Sequence, residues 1–208
     1  DNQENLELKR HLKYINFDYF SGSENNVLKR YFNAAEKFNA DVIIRITGDC
    51  PLIDPQMVDD CISLFKEKNV DYLCNNYPPT FPDGLDIEIF TKKALNEANN
   101  KATSQYDLEH VTPYIRNSDR YSKFTVKHSQ DMSQARWTVD EKEDLEVISN
   151  IFNYFHPDIH FSWLKVLQLQ NDRPELFILN QNITRNEGEF MSDNQKLWKR
   201  AKKIIIRY

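Results

Sequence analysis

The chain has 208 residues, 40% of them hydrophobic and 28% charged, enough to bury a core without disulfide or metal staples. A formal net charge of −5 gives no reason to expect nucleic acid as a partner, and no stretch approaches the roughly 18 apolar residues of a membrane span. Three scattered cysteines, Cys50, Cys61 and Cys74, have no metal-ligand spacing and argue for a reducing, cytoplasmic setting rather than a disulfide framework.

Leu8, Leu12 and Ile15 recur at helical spacing and predict a helix over about residues 4 to 14. No initiator methionine precedes it, so the true N-terminus is expected to lie upstream. NFDYFSG reads as a short strand, and Ser23 as the cap of a helix through NNVLKRYFNAAEKF with Val27, Leu28, Tyr31, Ala34, Ala35 and Phe38 as its apolar stripe. DVIIRIT is nearly continuously apolar, as in a strand covered on both faces. Asp54-Pro55 opens the next helix, and VDYLCN is a further strand. A proline-rich loop, NYPPTFPDG, leads into LDIEIF, which alternates as a half-buried strand. TKKALNEANNKA and QYDLEHVTPYIRN read as helices, KFTVKHS and ARWTVD as short strands, and EKEDLEVISNIFNYF as a strong helix. Strands alternate with helices through residue 155, which predicts an α/β sandwich with a mainly parallel sheet. After His156-Pro157 the chain changes character: a helical extension over 156–190, then a basic tail helix or linker over 191–208.

Asp49, in VIIRITGDCPLIDP, follows an apolar run and lies where open parallel sheets bind ligands, beyond the carboxyl end of a strand. Gly48 is expected to let the backbone turn sharply there. The carboxylate either binds magnesium that also holds substrate phosphates, or bonds to nearby loop amides. Arg45 interrupts the same run and needs a carboxylate partner or an anion. In RWTVDEKEDLEVI, Asp140 with Glu143 fits a capping box; the alternative is a second carboxylate meeting Asp49 at a strand end. In PPTFPDGLDIEIF, Asp83-Gly84 turns the chain, and Asp86 and Glu88 share one strand face, either solvated or facing a hydroxyl-rich ligand. His110 is either a satisfied core histidine or a site residue.

GSENNVLKRYFNAAEKFNADVIIRITGDCPLIDP, PPTFPDGLDIEIF, EHVTPYIRN and RWTVDEKEDLEVI, in this order, resemble the cytidylyltransferases of surface-polysaccharide synthesis. The nearest branch is the spore coat polysaccharide biosynthesis type, related to CMP-Kdo synthetase and acylneuraminate cytidylyltransferase. The resemblance implies a three-layer Rossmann-like nucleotidyltransferase sandwich of glycosyltransferase-A type, with residues 1–155 as a partial catalytic domain. It implies transfer of CMP from CTP to a sugar or sugar acid, with Mg2+, and a homodimer. Asp49 and Asp140 match the family's metal-binding aspartates. Asp83, Asp86 and Glu88 are expected near the sugar, and Arg136 near phosphate or sugar acid.

Two departures accompany the resemblance. Glu141-Lys142 stands where family members commonly carry Thr-Pro, so that Asp140 is expected to cap the helix itself. The family's N-terminal strand and arginine-rich CTP loop do not occur, and the chain alone is expected not to turn over CTP. The segment SDNQKLWKRAKKII resembles the entry to class III aminotransferases. Two other readings stay open: a sugar-nucleotide glycosyltransferase of the same architecture, and a non-catalytic binding or oligomerisation module.

Overall fold

The structure is a computed structural model that describes residues 5 to 185. In chain order its elements are α1 (Leu6–Tyr14), α2 (Val27–Lys37), β1 (Val42–Arg45), α3 (Pro55–Lys68), β2 (Tyr72–Cys74), β3 (Glu88–Thr91), α4 (Lys92–Lys101), α5 (Gln105–His110), α6 (Pro113–Arg116), β4 (Lys123–Thr125), α7 (Lys142–Phe155) and α8 (Trp163–Asp172), followed by a 3-10 helix at Pro174–Asn180. Among the described residues no helix is long and apolar enough to cross a membrane. The tail read as a basic helix or aminotransferase entry lies outside the described residues.

The chain forms two compact units. Among the described residues, one comprises those up to Ile46, Gln56–Pro78 and Ile87–Val126; the other comprises Thr47–Pro55, Pro79–Asp86 and those from Lys127 to Arg185.

The first unit is built on a four-stranded sheet in the order β1-β3-β2-β4. The α/β class expected from sequence holds, but the sheet is mixed rather than mainly parallel. β3 runs antiparallel to both β1 and β2, and only the β2–β4 pair is parallel. The reason lies in the connections. Parallel neighbours need a crossover of a dozen or more residues, usually helical. The link from β2 to β3 carries no helix, so β3 returns antiparallel, whereas α4, α5 and α6 carry the chain from β3 to a parallel β4. Ile43, Phe90 and Tyr72 are aligned across one sheet face and join Leu28 and Ala35 of α2 and Ala94, Leu95 and Ala98 of α4 in the main core.

Several local expectations are corrected. NFDYFSG is not a strand, since no described strand pairs with it and Phe17 is exposed. Asn26, not Ser23, caps α2 by accepting from the Lys29 amide at 2.8 Å; Ser23 accepts one turn earlier, from Asn26. β1 sits at the sheet edge, leaving Val42 and Ile44 exposed rather than covered on both faces. Phe38, the last residue of the proposed stripe, is exposed at the end of α2. QYDLEHVTPYIRN splits into α5 and α6 at Val111, whose φ of +73° breaks the helix before Pro113 starts a new one. ARWTVD forms no strand, only an isolated bridge between Asp83 and Arg136.

In the second unit the 3-10 helix packs against α7 and α8. Trp137 is fully buried and donates its indole N–H to Gln170 of α8 at 2.8 Å.

Candidate active site

Asp49 occupies a turn after β1, closed by the Cys50 amide donating to the Thr47 carbonyl. Gly48 needs no unusual backbone there: its φ is not positive, and a Cβ would meet nothing within 4 Å. The Asp49 carbonyl accepts from the Val139 amide at 2.9 Å and the Thr138 hydroxyl at 3.1 Å. These bonds tie the Asp49 turn to the residues just before Asp140.

Asp140 does not cap α7. Glu141 does, in a capping box closed by Asp144, whose Oδ2 accepts from the amides of Glu141 at 2.9 Å and Asp140 at 3.0 Å. The Asp140 side chain is therefore relieved of the capping role that the Glu141-Lys142 departure suggested, and more than half of it is exposed.

Arg136 lies at the centre of the unit's charges. It forks onto Asp144, with Nε and Nη2 each at 2.8 Å, reaches Asp83 through Nη1 at 3.2 Å, and reaches Asp140 through Nη2 at 3.1 Å. Asn180 of the 3-10 helix donates to Asp144 at 2.9 Å and to the Arg136 carbonyl at 3.1 Å. Arg136 is buried and these carboxylates occupy its guanidinium, so it belongs to the framework of the site rather than offering a free cation to an anion. Arg185 holds the next pair, bonding Asp86 at 2.6 Å and approaching Asp83 at 3.4 Å. Gly84 has a φ of +106°, and a Cβ on it would stand 2.6 Å from the Trp137 carbonyl carbon and oxygen. Only glycine allows Asp83 this close approach to the segment that ends in Asp140.

The electrostatics follow from this wiring. Burial alone would raise the Asp144 carboxyl. Arg136, the Glu141 and Asp140 amides and Asn180 outweigh it and hold the group at about 2. Burial pushes Asp83 up to about 6, with Arg185 and Arg136 pulling against it. Burial, and then the charge of Asp49, raise Asp140 above the ordinary carboxylate range. Burial pushes the Cys50 thiol up to about 12, which keeps it neutral, and all three cysteines are buried free thiols.

Three candidates lie in the other unit. Arg45 and Glu88 are register partners across β1 and β3 and form an ion pair at 2.6 Å. Glu88, only 2% exposed, also accepts from the Tyr72 hydroxyl at 2.5 Å, so the alternation around it does not mark a solvated or ligand-facing strand edge. His110 ends α5 half-buried, its ring 4.6 Å from Tyr106. The same unit has a cavity of about 440 Å³ lined by α1, residues 19–25 and Arg30, with the Ser21 and Ser23 residues on its wall.

Sequence reasoning missed Asp144, Asn180 and Arg185. Asp144 carried a signal, because it stands three residues after Glu141, the spacing of a capping box. Asn180 ends the apolar run PELFILN and Arg185 lies in a polar segment, and neither stands in a local pattern that marks it.

The residues present fit a magnesium ion. The Asp140 carboxyl is raised first by its burial and then by the charge of Asp49, which stands on a separate segment. Among the described residues no group of three or more His, Cys, Asp or Glu side chains could hold a metal. Magnesium requires no such group, because it commonly takes one or two carboxylates and completes its shell with water and phosphate oxygens.

A family model for cytidylyltransferases matches residues 1–183. The chain is similar to the uncharacterized protein MJ1063 of Methanocaldococcus jannaschii, 30% identical over 172 residues that cover 81% of this chain and 69% of that protein. It is similar to the spore coat polysaccharide biosynthesis protein SpsF of Bacillus subtilis, 31% identical over 174 residues covering 81% and 70%. Among solved structures, a cytidylyltransferase from Leptospira borgpetersenii superposes with a TM-score of 0.82 at 31% identity, covering 90% of this chain and 78% of that one.

Proposed function

Since the chain belongs to the cytidylyltransferase family, we propose that it transfers CMP from CTP to a hydroxyl of an acidic or deoxy sugar destined for a surface polysaccharide, in the cytoplasm. The observation that carries the reading is the pair of bonds from Val139 and Thr138 to the Asp49 carbonyl, which join the two segments bearing Asp49 and Asp140.

In the proposed reaction the sugar oxygen attacks the α-phosphorus, the bond from that phosphorus to the bridging oxygen breaks, pyrophosphate leaves, and the hydroxyl proton passes to solvent. Asp49 and Asp140 would hold magnesium, which neutralises phosphate charge when bound. The protein's own part is positional. Arg136 and Asp144 fix the backbone ahead of Asp140, and Gly84 lets the Asp83 loop seat against it. Arg185 holds Asp83 and Asp86 in place, so that the more exposed Asp86 carboxylate would keep a fixed acceptor direction for sugar hydroxyls.

Pyrophosphate release by the full gene product, given CTP, magnesium and a panel of sugar acids and deoxy sugars, tests this reading. Release with at least one sugar is expected, falling about 100-fold or more in Asp49→Asn and in Asp140→Asn, the scale of a lost electrostatic contact to the transition state. Preference for another nucleotide, or indifference to both substitutions, contradicts it.

A further inference from the structure

Two loops of the second unit carry the candidate reacting groups. Asp49 stands in one, Thr47–Pro55, and Asp83 and Asp86 stand in the other, Pro79–Asp86. The loops converge at Cys50: burial is the main cause of its raised thiol, and the charges of Asp49 and Asp86 both add to it. One joint between them is the segment from Ala135 to Val139. Its Ala135 carbonyl accepts from the Asp83 amide at 2.8 Å, its Trp137 amide donates to the Asp83 carbonyl at 2.7 Å, and Thr138 and Val139 hold the Asp49 carbonyl. Two loops held along a single segment keep the freedom to pivot about it. A pivot changes the distance between a phosphate held at Asp49 and a hydroxyl held at Asp86, and a misplacement of about 1 Å can cost about 100-fold in rate.

Trp163, the first residue of α8, supplies a second joint. Its amide donates to the buried Asp54 carboxylate of the first loop at 3.0 Å. Its ring meets the buried Phe81 of the second loop in a T-shaped pair, with centroids 5.8 Å apart, and meets His128 in another, at 5.6 Å. Phe81 and His128 close the triangle at 5.6 Å. The ring quadrupoles favour this edge-to-face geometry, so the triangle fixes the angles of its members as well as filling space. His128 is itself held: its amide donates to the Thr80 hydroxyl at 2.8 Å, and the Gln130 amide donates to its Nδ1 at 3.2 Å. Arg185 donates to the Phe81 carbonyl at 3.2 Å and bonds Asp86, so the position of Phe81 is passed on to the carboxylate.

We propose that Trp163 is a positioning residue for the transfer, fixing the spacing between the Asp49 loop and the Asp83–Asp86 loop, an inference that rests on the proposed function. It acts through Asp54 and Phe81 and touches neither substrate, and it gives the segment after His156 a part in the reaction.

The test uses the full gene product with CTP, magnesium and whichever sugar acid or deoxy sugar wild type uses best, in wild type, Trp163→Ala, Trp163→Leu, Trp163→Phe and Phe155→Ala, at a temperature where circular dichroism shows each folded. Trp163→Leu keeps a large apolar side chain and serves where Trp163→Ala does not fold. Phe155, whose ring stacks on Phe161 at 4.2 Å, controls for the loss of an aromatic ring from the same unit. The expected result is a fall in kcat of about tenfold or more in Trp163→Ala and Trp163→Leu, with the KM values for CTP and sugar within about threefold, the pattern of an interaction that orients bound substrates. Trp163→Phe, which keeps a ring, returns to within about threefold of wild type, and Phe155→Ala stays within about twofold. A kcat for Trp163→Leu within twofold of wild type, an equal fall in Phe155→Ala, or an effect confined to KM overturns this inference and leaves the proposed function standing. No transfer by wild type to any sugar overturns both.

Discussion

Asp144 and Arg136 form a two-pronged ion pair, each oxygen of the carboxylate accepting one guanidinium N–H at 2.8 Å, with Asp144 fully buried. The same carboxylate closes the capping box of α7, so one side chain starts a helix and fixes the arginine that reaches Asp83 and Asp140. Replacing Asp144 with Asn leaves a buried guanidinium short of its main partner. The expected loss is about 3–5 kcal/mol in denaturant unfolding, the range for breaking a buried pair from one side.

The pH dependence of that contribution has a definite sign. The folded Asp144 carboxyl sits at about 2, below its ordinary value of 3.8, so its stabilisation is present above about pH 4 and is lost as pH falls through about 2. Asp83 acts in reverse: raised to about 6, it favours the fold most when protonated, and that contribution fades as pH rises from about 4 to 6. Urea melts across this range should show the gap between wild type and Asp144→Asn narrowing by about 2 kcal/mol from pH 5 to pH 2. A constant gap would count against the ion pair.

Arg45 and Glu88 make a separate case, because both were candidates for substrate contact and both are spent on each other. Glu88→Gln or Arg45→Met alone should destabilise the protein by several kcal/mol, while Arg45→Met with Glu88→Leu should recover most of the loss. A double-mutant cycle in thermal unfolding measures this. If the double variant is no more stable than the worse single variant, the pair is not the structural unit described.

At Gly84 the constraint is steric. Alanine would combine a disfavoured φ of +106° with backbone atoms of Trp137 at 2.6 Å. Gly84→Ala should cost about 3 kcal/mol or more, seen as a clear fall in Tm. Gly48→Ala, whose Cβ meets nothing, should leave Tm nearly unchanged.

Much of this fold was legible in the sequence, and the failures have physical causes. The helices were found because apolar periodicity survives wherever one face is buried, as in α2 with Leu28 and Ala35. The direction of β3 was not, since alternation within LDIEIF reports which faces are buried and says nothing about the partner strand. Glu88 was read as either solvated or facing a ligand because a buried carboxylate and an exposed one share the same alternating pattern; Arg45 and Tyr72, distant in sequence, distinguish them. Asp49 and Asp140 stood out because each follows an apolar run and precedes a helix start. Arg136 was placed near phosphate or sugar acid by the family resemblance, and the structure instead occupies it with Asp140 and Asp144 from one segment and Asp83 from another.

The central claim is that Asp49 and Asp140 act together on one divalent cation. Calorimetric titration of manganese into the protein, with CTP present and absent, tests it most directly in wild type, Asp49→Asn, Asp140→Asn and the double variant. The account predicts that each single substitution weakens manganese binding about tenfold or more and that the double variant is little worse than either single, the non-additivity of two ligands to one ion. Equal manganese affinity in all four proteins would contradict it.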